Sequence, residues 1–419
     1  MSKIKPITLK DISAPGRSVI SGPFGSNIGK RFFQNTGIPV IRGNNITTDS
    51  RKFVDRGFVF ITEEKADELK ADAIEGDILF TAAGTIGQVG MIPINASYDR
   101  YVISNKQIRF RVDPNKADIN YVYYWLASPW IFKAIINRNT GSTVPLINLG
   151  IIKSLPISLP DNLMEQKKIS DVISAIDKKI EINNLINSEL EVMAKSLYDY
   201  WFVQFDYPDS NGKPYKASGG KMVYNRTLKR EIPEGWLDKA LSDIANITMG
   251  QSPSGDSYND QGDGAIFFQG STDFGWLFPS IRQFTTKPSR MAKKGDILLS
   301  VRAPVGDMNI ANTDCCIGRG LAALNSKNGY EGFLFYIMKY FKQIFDRRNS
   351  EGTTFGSITK DDLHSLTLAY PSDDLLMKYN DIVSKYNKMI FARSMENIQL
   401  GQLRDWLLPM LMNGQVTVK

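Results

Sequence analysis

The sequence predicts an α+β protein: two similar mixed α/β domains separated by two long helices that pair as an antiparallel coiled coil with approximate twofold symmetry. Three observations lead there. The chain has 419 residues, too many for one ordinary core. Its second half echoes its first, in order, at an offset of about 210 to 230 residues. After each copy comes a stretch nearly free of glycine and proline, with apolar residues spaced alternately by four and three.

Four echoes keep the same order. Leu9-Lys10-Asp11-Ile12 matches Leu241-Ser242-Asp243-Ile244. GIPVIRGNNI from Gly37 pairs with GAIFFQGSTD from Gly264, and EGDILFTAAGTIG from Glu75 with KGDILLSVRAPVG from Lys294. NTGSTVPLINLGIIKSLPISLP from Asn139 pairs with SEGTTFGSITKDDLHSLTLAYP from Ser350. One such match is chance; four in register are an internal duplication.

Within each copy, short runs rich in β-branched and aromatic residues (38–41, 78–80 and 297–301) end in Gly, Asn or Pro turns and read as strands. A helix is expected around residues 119–137 and again around 330–348, then a short apolar strand closing on Pro160 or Pro371.

The stretches 165–203 and 375–412 carry the helical period. One seam runs Ile169, Ile173, Ile176, Ile180, Asn183, Asn187, Leu190, Ala194, Leu197, Trp201. The other runs Tyr379, Val383, Tyr386, Ile390, Arg393, Asn397, Leu400, Arg404, Leu407, Leu411. Antiparallel pairing would bring Asn183 and Asn187 to Arg393 and Asn397, penalising register slips because buried polar groups need partners. Each helix would be roughly 55 to 60 Å long, placing the two α/β domains at opposite ends. The expected divisions are a first domain over 1–160, a central helix over 161–205, an irregular surface linker over 206–236, a second domain over 237–372 and a C-terminal helix over 373–419.

Composition narrows the function classes. Hydrophobic residues make up 42% and charged residues 23%, with no run approaching a membrane span and no signal peptide at the N-terminus, so a cytoplasmic protein without a membrane partner is expected. The two cysteines, Cys315 and Cys316, are adjacent and unsuited to a mutual disulfide or, alone, to a structural metal site. A single histidine, His364, excludes chemistry built on several imidazoles. The net charge of +7 permits attraction to a polyanion such as DNA.

Over essentially its whole length the chain resembles the specificity subunit of type I restriction-modification systems. The most specific features are GKPYKASGG and REIPEGW in the linker and LRDWLLPMLMNGQV near the C-terminus. The Gly-Asp-Ile-Leu strand in each half and a long helix after each domain agree with them. The resemblance implies that each domain is a target recognition domain reading one half of a bipartite double-stranded DNA site. It implies that the helices set the spacer and dock two methyltransferase subunits, which carry S-adenosylmethionine and methylate adenine. ATP-driven restriction subunits join the full complex. The specificity subunit itself is non-catalytic and holds no cofactor.

A scan for chemistry agrees with that. An adenine methyltransferase needs an Asn/Asp-Pro-Pro-aromatic loop, and the chain has no Pro-Pro pair. GPFGSNIGK, from Gly22, imitates a phosphate loop, but Phe24 stands at the first glycine's place and Arg31 at that of the Ser or Thr. IGRGLAA, from Ile317, imitates a dinucleotide fingerprint without a βαβ unit or its acidic partner. Glu63-Glu64-Lys65, a fragment of a nuclease signature, lies in a stretch that reads as an exposed charged helix. No catalytic or metal site is expected, which disfavours a free-standing nuclease. A regulator acting alone would not need helices built to receive partners.

DNA contact calls for guanidinium, amide and hydroxyl groups on loops. Loops that recur between halves supply Arg42, Asn44 and Asn45 against Gln269 and neighbouring hydroxyls. They also supply Arg138, Ser142 and Thr143 against Arg347, Arg348, Thr353 and Thr354. Further candidates without a counterpart are Arg51 and Lys52 in the first half, and Gln251, Ser252, Arg282, Arg302 and Arg319 in the second. Tyr198, Tyr200, Trp201, Phe202 and Trp406, dense near the helix ends, are candidate partner-binding residues or else closures of the local core.

Overall fold

In this computed structural model, residues 4–47, 52–141, 143–350 and 357–418 are described, apart from the side chains at 4–6 and 344–350. The chain divides into two compact units, Met1–Asn184 with Met395–Lys419, and Leu185–Ser394.

The first unit opens with Ile4–Thr8 paired antiparallel to Pro156–Pro160. Between them lie two four-stranded sheets. One is antiparallel, in the order Val19–Ser21, Gln107–Phe110, Ile78–Thr81, Val89–Met91. The other runs Val59–Ile61, Ile38–Ile41, Tyr101–Ile103, Asp72–Ala73, and its central pair is parallel.

The second unit repeats this plan. Leu237–Ala240 pairs with Thr367–Tyr370. One sheet follows the order Ala245–Met249, Leu321–Ser326, Ile297–Ser300, Met308–Ile310. The other follows Phe284–Thr285, Ala265–Phe268, Cys315–Ile317, Met291–Ala292, again with a parallel central pair and with Tyr258–Asn259 added at one edge. The duplication read from the sequence is thus a duplication of strand order.

The Gly-Asp-Ile-Leu repeat has a physical reason. Ile78 and Phe80 face one core together with Phe110 and Tyr121, while Leu79, on the opposite face, packs with Val40, Ile41 and Val102. In the second unit Ile297 and Leu299 face the helix-covered core and Leu298 packs with Phe268 and Ile317. A strand buried on both faces needs a continuous apolar run rather than an alternating one. The preceding turn needs Gly76 and Gly295, whose φ values of 77° and 96° lie in the left-handed region. Asp77 closes that turn by accepting from the Ile74 amide at 2.9 Å and grips Arg111 through two bonds of 2.7 Å. Asp296 does the same with the Lys293 amide at 2.9 Å and Asn325 at 3.1 Å.

Two expectations change. The helix foreseen over 119–137 is two helices, Ile119–Leu126 and Pro129–Ile136. Ser128 caps the second and Pro129 occupies its first turn, where a missing N–H breaks nothing but the preceding helix cannot continue. The second unit has no proline there, and Glu331–Ser350 is unbroken. The linker expected to be irregular contains an antiparallel ribbon, Met222–Asn225 with Arg230–Pro233. It also holds a stack in which Tyr207 lies 4.8 Å from Tyr215 and 5.5 Å from Trp236, centroid to centroid.

The two long helices span Leu163–Tyr198 and Asp373–Met412. Within the first unit, Arg404 reaches Asp177 at 3.1 Å and Asn183 reaches Asn397 at 2.8 Å, so the segments run antiparallel. Ile169, Ile173, Leu408, Leu411 and Met412 share that unit's core. Within the second unit, Asn187 reaches Ser394 at 3.2 Å and Tyr379 reaches the Ala194 carbonyl at 3.3 Å, again antiparallel. Arg393 does not meet Asn187 as the seam suggested: its guanidinium turns back to the Met389 carbonyl of its own helix, and the smaller Ser394 takes the contact. Among the described residues no helix is long and apolar enough to cross a membrane.

Candidate nucleic-acid interface

In each unit the two parallel central strands end side by side, and the loops leaving those ends carry the polar candidates. In the first unit Ile38–Ile41 runs into Arg42 and a 3-10 turn, Gly43–Asn45. Asn44 is exposed and Arg42 half-buried, with one guanidinium nitrogen on the Gly57 carbonyl at 3.2 Å. Asn45 is not available to a ligand. It is fully buried, its carbonyl oxygen accepts from the Arg42 amide at 2.9 Å, and its NH2 donates to the Val54 and Arg56 carbonyls. It holds the loop rather than reading from it.

Lys52 is likewise withdrawn. Its ammonium donates to Asn120 at 2.9 Å and lies 5.2 and 4.8 Å from the ring centroids of Tyr123 and Tyr124. Burial lowers its pKa, with the carboxylates of Asp177, Asp118 and Glu181 pulling the other way. Arg51 and Ser142 lie outside the described residues.

The second unit gathers four of the candidates. Ala265–Phe268 runs into Gln269, and Cys315–Ile317 into Gly318 and Arg319. Ser252 sits between them: its hydroxyl accepts from the Gln269 NH2 at 2.9 Å and from the Arg319 amide at 3.2 Å. Gln251, exposed, is tied by its own amide to the Ile317 carbonyl at 3.0 Å. Ser271 and Thr272 follow on the same loop, Thr272 exposed. Arg282 is exposed but its guanidinium is bound to the buried carboxylate of Asp273.

A second polar edge forms where the loop after the central buried strand meets Pro145 and Leu146 in the first unit and Ser357 in the second. In the first unit Gly84 donates to the Pro145 carbonyl at 2.9 Å, and the Asn139 side chain accepts from the Gly141 and Leu146 amides. Arg138 and Thr143 are exposed there. In the second unit Arg302, also exposed, bridges to Ser357. Thr353 and Thr354, and the side chains of Arg347 and Arg348, lie outside the described residues.

Sequence reasoning missed Asn105 and Lys106, both exposed on the turn after Tyr101–Ile103. The signal was present: Asn105 occupies the place that Arg319 holds in the repeat. It also missed Phe24, which is 83% exposed where the second unit has Ser252.

Of the aromatic candidates for partner binding, Tyr198, Trp201 and Phe202 are buried in the second unit's own core, packed against Phe333 and Tyr379. This corrects their assignment to a partner surface. Tyr200, 40% exposed, and Trp406, 57% exposed, do face outward. In the first unit a groove of about 650 Å³ lined by Tyr124, Trp130, Phe132, Asp177, Arg404 and Pro409 lies beside Asp405.

No group of three or more metal-ligating side chains forms among the described residues. Cys315 and Cys316 are free and buried, and burial pushes the Cys315 thiol up to about 12. IGRGLAA spans one strand end and the start of the next with no helix following, and the Glu63–Leu69 helix is capped by Thr62 and laced by a Lys65–Glu68 pair.

The family model described as the type I restriction modification DNA specificity domain matches residues 24–192 and 233–392. A Methanocaldococcus jannaschii protein bearing the name of the type I restriction enzyme MjaX specificity subunit is 30% identical over 395 residues, covering 91% of this chain and 88% of its own. The HindI specificity subunit of Haemophilus influenzae is 24% identical, covering 94% of this chain and 98% of its own. The type I restriction-modification S subunit from M. genitalium shares the fold, with a TM-score of 0.59 over 98% of this chain and 96% of that one at 17% identity. The chain therefore belongs to the type I restriction-modification specificity subunits, with two DNA specificity domains.

Proposed function

We propose that each unit reads one half of a bipartite, asymmetric double-stranded DNA site, and that the long helices dock two methyltransferase subunits and set the spacer between the half-sites. A specificity subunit is the non-catalytic recognition component of its system, working with DNA and with methyltransferase and restriction subunits. The observation that carries the proposal is the repeated strand order whose equivalent loops differ in their polar residues: Arg42 and Asn44 in one unit, Gln269 and Ser252 in the other. One scaffold used twice with different loop chemistry suits two different half-sites. The candidates that remain exposed or half-exposed, Arg138, Thr143, Gln251, Arg302 and Arg319 among them, are placed in base or phosphate contact. Tyr200, Trp406 and the groove beside Arg404 are placed at the methyltransferase interface, where exposed aromatics carry much of the binding energy.

The test is to express the chain with the methyltransferase subunit encoded beside it and map adenine methylation genome-wide. A single split motif with a fixed gap is the expected result. Methylation at an unsplit motif would refute the two-domain assignment, and failure to form a complex would refute the docking one.

A further inference from the structure

The two parallel strand ends in each unit launch one guanidinium and one amide, in swapped positions. In the first unit Arg42 leaves Ile38–Ile41 and Asn105 follows Tyr101–Ile103. In the second, Gln269 leaves Ala265–Phe268 and Arg319 follows Cys315–Ile317. The strands are register-locked by Val40 to Val102 and Ile41 to Ile103 in one unit, and by Phe267 to Cys316 and Phe268 to Ile317 in the other. The four side chains therefore start from matched points of one scaffold.

Gln269, the Arg319 backbone and Arg42 are also held in place. Gln269 is oriented by Ser252, whose hydroxyl lies against both its NH2 at 2.9 Å and its carbonyl oxygen at 3.2 Å, which leaves one amide N–H and one carbonyl lone pair for a ligand. Arg319 stands between Gly318 and Gly320, and a Cβ at Gly318 would come within 2.9 Å of Gln269 atoms, so the backbone passes where only glycine fits. This accounts for the GRG sequence that imitates a dinucleotide fingerprint. Arg42 is steadied at one terminal nitrogen by the Gly57 carbonyl and its Nε is buried, which leaves the N–H groups of the guanidinium end for recognition. A Cβ at Gly22 or Gly250, the equivalent residues beneath each pair, would strike the Ser104 or Gly318 carbonyl, at 1.8 and 2.2 Å. The close approach of this loop is built twice.

From this geometry we infer that Arg42 with Asn105, and Gln269 with Arg319, are the base-reading pairs of the two half-sites, each taking a guanine through its arginine and an adenine through its amide in the major groove. The inference rests on the bipartite reading above and assigns residues and bases within it. Arginine matches the guanine O6 and N7 acceptors, and an amide matches the adenine N7 acceptor and N6 donor. Neighbouring strands lie ~4.8 Å apart, close enough for side chains from adjacent ends to reach neighbouring base pairs.

Methylation mapping of the complex tests it with Arg42→Ala, Asn105→Ala, Gln269→Ala and Arg319→Ala. Each variant is expected to lose preference for its base at one position of one half-site by about 10- to 100-fold, the other half-site keeping its sequence. The retained half-site reports that the variant is folded. Gln269→Glu keeps an acceptor toward Ser252 and should move the preference from adenine toward cytosine. Where an alanine variant abolishes methylation, Arg42→Lys, Asn105→Gln, Gln269→Glu or Arg319→Lys is measured in its place. An unchanged motif, or methylation weakened uniformly across sequences but not abolished, would overturn the assignment, the latter marking a phosphate contact. A wild-type motif that is not split would instead refute the bipartite reading itself.

Discussion

Asn183 donates its amide to the Asn397 carbonyl oxygen at 2.8 Å, in the part of the seam where both long helices would otherwise present apolar residues. The contact belongs to a layer: Asn183 also bonds Glu396, and Asn397 donates in turn to Asn184, both at 2.8 Å. Asn183 is almost fully buried, so removing one partner strands the other away from water. Asn183→Ala should lower unfolding stability by about 1 to 3 kcal/mol, read as a lower urea midpoint. Pairing Asn183→Leu with Asn397→Leu should recover most of it, because the two apolar side chains pack together and the groups they release, Glu396 and Asn184, are exposed enough to turn to water. An Asn183→Ala midpoint equal to the parent's would show that the layer contributes no stability.

Lys52 separates burial from DNA contact. Its ammonium is held by Asn120 over the Tyr123 and Tyr124 rings. Lys52→Met should leave the slope of log affinity against log salt unchanged, whereas Lys106→Ala, at an exposed turn, should reduce it by about one. Equal effects of the two would mean that Lys52 leaves its aromatic seat in the complex.

The two tryptophans of the helix ends should behave oppositely. Trp201, in the core against Tyr379, should lose about 3 to 5 kcal/mol of stability as Trp201→Ala. Trp406→Ala, at an exposed position, should leave the urea midpoint unchanged but weaken capture of the methyltransferase subunit by about 30-fold. Unaltered capture would remove Trp406 from the docking surface.

Glu331 gives the second unit a pH dependence. Burial pushes its carboxyl up to about 7, against the Ser326 amide that donates to it and with nearby Asp296 adding to the rise. A raised folded-state pKa means that the folded form holds the proton more tightly. Its stabilising contribution is complete below pH 4.5, the unfolded value, and is lost as pH climbs through about 7. Urea midpoints should fall from about pH 5 to pH 8, and Glu331→Gln should flatten the fall. Parallel profiles for parent and variant would contradict the raised pKa.

The duplicated architecture was legible in the sequence because its marks are local. A doubly buried strand must read as an unbroken apolar run, and Asp77 and Asp296 sit one residue after an obligatory glycine. The break at Pro129 was legible too, in the Ser128-Pro129 start signal, but the apolar period across it suggested one helix. Burial of polar residues was not legible. Asn45 and Lys52 look like loop residues because the groups that claim them, the Val54 carbonyl and the ring of Tyr124, are set by tertiary packing. Seam spacing brought Asn183 and Asn187 to the stretch holding Arg393 and Asn397 but could not tell that Ser394, rather than Arg393, would meet Asn187.

The first unit is assembled from residues 1–184 together with 395–419, while the second is one uninterrupted stretch, 185–394. During synthesis the ribosome delivers nearly all of the first unit early, yet Leu408, Leu411 and Met412, which seal its core, emerge only after the whole of the second unit. The unit made first is therefore the last to be finished. Until then Ile169 and Ile173 lack the three side chains that cover them, and the first unit carries an open apolar face through the whole synthesis of the second.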